Sequence, residues 1–144
     1  MQRLSSLLLC LWLGAFLAIG ALVAPAIFDA AETSSQAGLI AGVVFERLNI
    51  SGICFAAVII CVQRPIVGLA TVLLGLVVLL ILVSQYVITP KIELLRDLSG
   101  GVFRSGSSEY QAFWKWHGIS NLLFLVEAIF VTAVLCLKFK ENQN

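Results

Sequence analysis

The sequence predicts an all-α membrane protein, a four-transmembrane-helix bundle with a short amphipathic surface helix. Three observations predict it. Of the 144 residues, 60% are hydrophobic and only 12% are charged, whereas a soluble domain carries about 25% charge. Four apolar runs, at residues 4–27, 38–62, 66–89 and 116–137, each reach the roughly 20 residues a helix needs to cross a bilayer. Prolines and polar residues collect between the runs, and the mean hydropathy is +1.04. The runs fill most of the chain, so one domain over residues 1–144 is expected.

The first run follows Arg3, as a signal-peptide core would, and small residues 21–26 could serve a cleavage site. Its length far exceeds the roughly 7–15 residues of such a core, so it reads as a retained helix. Pro25 stands near its end. Thr33, Ser34 and Ser35 follow, and any of them can cap the second helix by accepting a hydrogen bond from its first turn. Gln63, Arg64 and Pro65 join the second and third runs so closely that these must be antiparallel neighbours. Pro65 suits a first helical turn, where a missing N–H costs nothing, and Pro90 falls just past the third run.

The longest connection is then residues 91–115. Within it Ile92, Leu94, Leu95 and Leu98 interleave with Glu93, Arg96 and Asp97, the pattern of a short helix lying at the membrane surface. Ser99, Gly100 and Gly101 end it, and a serine- and glycine-rich loop follows. Tyr110, Trp114 and Trp116 form an aromatic interfacial anchor for the fourth helix, and Lys138 and Lys140 close its far end.

Placing both termini in the cytoplasm puts Arg3, Arg64, Lys138 and Lys140 inside and leaves a first outer loop with no basic residue, as the positive-inside rule prefers. Lys91, Arg96, Arg104 and Lys115 in the long loop count against it. A net charge of +1 gives no electrostatic reason to expect nucleic acid. The expected partners are the lipid bilayer and either a second copy or another membrane protein.

Residues 23–27, around Pro25, resemble residues 88–92, around Pro90, and residues 45–49 can be laid over 113–117, pairing Asn49 with His117. Two tandem helical hairpins related by an axis along the membrane normal would explain this. So would a common way of starting a membrane helix.

An ionisable side chain inside hydrocarbon costs about 2.5–3.5 kcal/mol or more, and so faces the bundle or a wet cavity. Glu127 sits near the middle of the fourth run. By helical period, Ser120 shares its line while His117 and Asn121 flank it. Glu46 and Asn49 lie on one side of the second run, with Ser84 and Gln85 near the end of the third. The candidate ligand-binding residues are therefore His117, Ser120, Asn121, Glu127, Glu46 and Asn49. Gly38 and Gly42, and likewise Gly14 and Ala18, have the spacing that lets helices approach closely, within the chain or across a dimer.

No cofactor is demanded. Haem held by two histidines needs more than His117, the single histidine, and copper(I) favours sulfur ligands where Met1 is the single methionine. Cys10, Cys54, Cys61 and Cys136 lie in apolar runs and read as small hydrophobes. No catalytic residue or metal set, Walker loop, Rossmann fingerprint or metalloprotease motif is present in the sequence.

The string Phe113, Trp114, Lys115, Trp116, His117, Gly118, Ile119, Ser120 resembles the aromatic-rich signature of the transmembrane protein 205-like family. Trp12 and Gly14, Ala24 with Pro25 and Phe28, and Ala37, Gly38, Gly42 and Phe45 are similar to elements of its bacterial members, long catalogued as a domain of unknown function. The resemblance implies a four-helix protein of the bacterial inner membrane without an established activity. Glu127 lies outside the shared motif. On these grounds the chain is expected to be a small transport or binding component with a polar site at the fourth helix. A membrane-embedded redox or haem-pathway enzyme using His117, or a structural subunit of a membrane complex, are the alternatives.

Overall fold

The computed structural model describes residues 2–62, 68–104 and 106–141, so the expected tight link at Gln63, Arg64 and Pro65 lies outside the described residues. Helix 1 runs without a break through Gln2–Ala18, a π-helical turn Ile19–Val23 and Ala24–Ala30. Helix 2 is Ser34–Val62. Helix 3 runs through Leu69–Val83, a second π turn Ser84–Ile88 and Thr89–Leu98, and helix 4 is Ser108–Glu141. There is no strand among the described residues. All four helices are long and apolar enough to span a membrane.

The prolines do not stop helices 1 and 3, which corrects their expected boundaries at residues 27 and 89. A proline inside a helix lacks the N–H for the carbonyl four residues back, and its ring crowds that carbonyl. Here the chain widens just ahead of each proline. Ala24 N–H bonds to the Ile19 carbonyl and Thr89 N–H to the Ser84 carbonyl, both five residues back. This π spacing lets the helix continue past the ring. Both π turns end two residues before their proline, so the two hairpins share an irregularity of the backbone as well as a stretch of sequence.

The residues read as a surface helix are thus the last turns of helix 3. Leu94 and Leu98 point outward, while Ile92, Leu95 and Arg96 are partly buried. The helix ends as a Schellman motif: Gly101 N–H bonds to the Arg96 carbonyl, Gly100 N–H to that of Asp97, and Gly100 takes φ +60°, which glycine adopts without strain. Helix 4 starts at Ser108, eight residues before Trp116, because Ser107 Oγ accepts the Tyr110 N–H at 3.1 Å. The long connection accordingly shrinks to residues 99–107. Of the three candidate caps for helix 2, Thr33 serves: its Oγ1 accepts the Gln36 N–H, and the Gln36 side chain accepts the Glu32 N–H, a variant of the capping box.

Helix 1 packs against helices 2 and 4, and helix 3 against the same two. The core holds Leu9, Trp12 and Phe16 from helix 1, Leu48, Ala56 and Ile59 from helix 2, Leu74, Val77 and Ile81 from helix 3, and Val131 and Val134 from helix 4. Leu7, Leu11, Leu39, Val43, Leu76, Leu79, Leu122 and Leu125 face outward, as side chains do when the surrounding solvent is hydrocarbon.

Candidate functional site

Phe124 fixes the register of the bundle. Its ring lies 4.8 Å from Phe16 and 5.1 Å from Phe45, and the absence of a Cβ at Gly20 admits its edge. One turn nearer the chain termini stand Glu127 on helix 4 and Asn49 on helix 2. Asn49 Nδ2 donates to Gln85 Oε1 at 3.3 Å, tying helix 2 to the second π turn, and that turn also packs on helix 4. Glu127, Asn49 and Gln85 therefore occupy one level, within about a helical turn. Glu127 is 1% exposed and its Oε1 has no hydrogen-bond partner.

Trp12 closes this level on the side of the termini. Its indole is wholly buried, Nε1 is unpartnered, and Phe16 and Phe55 flank it at centroid distances of 6.1 and 6.2 Å. It lies directly on Gly52, where a Cβ would stand 2.7 Å from the ring. Close helix approach is thus made at Gly52. Gly14, Ala18 and Gly42 are exposed, with nothing within 4 Å of a Cβ at either glycine, and the nearest atoms to a Cβ at Gly38 would be those of the Arg96 side chain.

The expected polar face of helix 4 divides. His117 lies ten residues from Glu127, about 15 Å along the axis. It stacks on Phe113 at 5.8 Å with an interplanar angle of 7° and meets Trp114 edge-on. Ser120 is partly buried, and Asn121 is exposed. Asn121 stands six residues before Glu127, a rotation of about 120°, so seating Glu127 in the core turns Asn121 out. Glu46 is exposed as well, whereas Asn49 is buried. Among the described residues no three His, Cys, Asp or Glu side chains gather as a possible metal site.

Sequence reasoning left Trp12 and Gly52 out of the site. A tryptophan in mid-span is the signal that could have found it, because an indole N–H away from the interface needs a polar partner.

Four helices that can each cross a bilayer, wrapped around a buried carboxyl and an amide pair, define an integral, multipass membrane protein. The family described as Domain of unknown function (DUF4149) matches residues 7–99, and the chain belongs to it. No curated protein and no solved structure matches the chain. The matched stretch contains Trp12, Asn49, Gln85 and Arg96 and stops short of helix 4.

Proposed function

We propose that the protein is a small membrane-embedded binding or transport component whose polar site lies at the level of Glu127, Asn49 and Gln85. The observation that supports this reading is the Glu127 carboxyl, buried to 1% exposure with an oxygen left without a partner. A buried acceptor left unmade costs about 1–3 kcal/mol, and an intramembrane carboxyl marks a substrate, ion or proton pathway by default. The Asn49 and Gln85 amides at its level supply neutral donors and acceptors for an occupant.

The finer family placement, with the transmembrane protein 205-like proteins, rests on the string at residues 113–120, beyond the matched stretch, together with Trp12, Gly14, Ala24, Pro25, Phe28, Ala37, Gly38, Gly42 and Phe45 within it. In this reading both termini are cytoplasmic, and self-association or docking to another membrane protein uses the outward Gly14, Ala18 and Gly42.

Glu127→Gln tests the function because it keeps size and hydrogen bonding while removing the ionisable group. Proteoliposomes loaded with a pH dye or with radioactive sodium should show proton or cation flux with the original protein and lose it with Glu127→Gln, while unfolding stability changes by less than about 1 kcal/mol. Equal flux from the two proteins, or none from either, would sink the reading.

A further inference from the structure

At the end of the bundle that carries the two described loops, a second polar level is built around Arg96. Arg96 is eleven residues beyond Gln85, Gly38 eleven before Asn49 and His117 ten before Glu127, so the three share a level about 15 Å from the first. The Arg96 side chain is turned toward the bundle, while the exposed side of the same helix carries Glu93, Leu94, Asp97 and Leu98. Its Nη2 lies 3.1 Å, and its Cζ 3.6 Å, from where a Cβ of residue 38 would be. Glycine at that position is what gives the guanidinium its seat on helix 2.

Among the described residues the guanidinium forms no hydrogen bond or ion pair. His117 is within its electrostatic reach and held by Phe113 and Trp114. The neighbouring cation, Lys91, lies 4.1 Å over the Trp116 ring. Of the acidic residues at this end, Asp29, Glu32, Glu93 and Asp97 are exposed, and Glu109 is eight residues from His117 along helix 4, about 12 Å. Five N–H donors at the level of an imidazole, with no carboxylate paired to them among the described residues, match a tetrahedral oxyanion. Tyr110, Trp114 and Trp116 put this level at the membrane–water interface, where lipid phosphates lie.

We propose that Arg96, seated on Gly38 at the level of His117, binds a phosphate group at the loop end of the bundle, carried either by a phospholipid headgroup or by a free phosphate anion. The guanidinium grips two oxygens, and the imidazole donates a hydrogen bond to a third. The site is separate from Glu127 and does not depend on the function proposed for it.

Full-length protein in detergent is titrated with phosphatidylglycerol, read by native mass spectrometry, and with inorganic phosphate, read by calorimetry. Arg96→Gln should weaken binding about tenfold or more, the loss expected of charged hydrogen bonds, and His117→Gln should weaken it less. Gly38→Ala keeps every charge and shifts the guanidinium by a few tenths of an ångström, so it should weaken binding less than Arg96→Gln while the fold is retained. Retention of the lipid without affinity for inorganic phosphate assigns a headgroup site, and competition between them a free-anion site. Binding of neither probe by the original protein overturns the proposal. So does unchanged binding by folded Arg96→Gln.

Discussion

Replacing Gly52 by alanine should destabilise the bundle, and the contact geometry sets the size of the effect. The new Cβ would stand 2.7 Å from Trp12 Cζ2 and 2.9 Å from Cε2 and Nε1, about 0.7 Å inside the start of ordinary van der Waals contact at 3.4 Å. The indole is rigid and already held by Phe16 and Phe55, so helix 1 or helix 2 must give way. Overpacking of this kind costs about 1–3 kcal/mol, offset by up to about 1 kcal/mol for replacing glycine in a helix. The net expectation is a loss of about 1–2 kcal/mol.

Gly20→Ala meets the edge of one Phe124 ring at 3.0 Å and should cost less. Gly42→Ala meets nothing within 4 Å and should be neutral or stabilising. Unfolding from dodecyl maltoside micelles by added dodecyl sulfate, followed by circular dichroism, ranks the three. If Gly52→Ala unfolds at the same dodecyl sulfate fraction as Gly42→Ala, Trp12 is not wedged against helix 2 and the register derived from it is wrong.

In the same assay Thr33→Ala should lose about 1 kcal/mol of stability through its cap, while Ser34→Ala should lose none; equal effects would move the start of helix 2. In a background without Cys10, Cys54, Cys61 and Cys136, Ser34→Cys and Ser107→Cys should both react with an impermeant maleimide in intact cells. Reaction only after permeabilisation would reverse the proposed orientation.

The helix count and most turns were legible in the sequence because hydropathy, Thr33 and the Ser99, Gly100, Gly101 run each act locally. The extent of helices 1 and 3 was not, since a proline reads as a stop unless the turn before it is known to widen. That one error carried others with it. With helix 3 ended at residue 89, Gln85 looked peripheral and Arg96 looked like the polar face of a surface helix. Continued to Leu98, the same helix places Gln85 beside Asn49 and turns Arg96 toward Gly38. Glu127 was readable because a carboxylate in mid-span has few alternatives. Asn121 was not, since helical period gives angles between residues and leaves the buried direction to packing. Within the chain, Gly38 meets the Arg96 side chain of helix 3 while Gly42 meets nothing within 4 Å, a difference that their shared spacing does not show. Spacing marks a helix as able to approach another, but whether a partner stands there is a tertiary matter.

The two π turns have a mechanical consequence. Each sits beside a proline that cannot restore the missing backbone bond, so the bending compliance of helices 1 and 3 is concentrated at Ile19–Val23 and Ser84–Ile88, while helices 2 and 4 run as uninterrupted rods. The joints lie at similar depths in the two hairpins, and beyond them extend two short levers, Ala24–Ala30 and Thr89–Leu98. Arg96 rides on the second lever, and Gln85, bonded to Asn49, lies at its fulcrum. Tilting that lever would swing the guanidinium across helix 2 while Trp12 keeps its contacts with Phe16, Phe55 and Gly52 in the core.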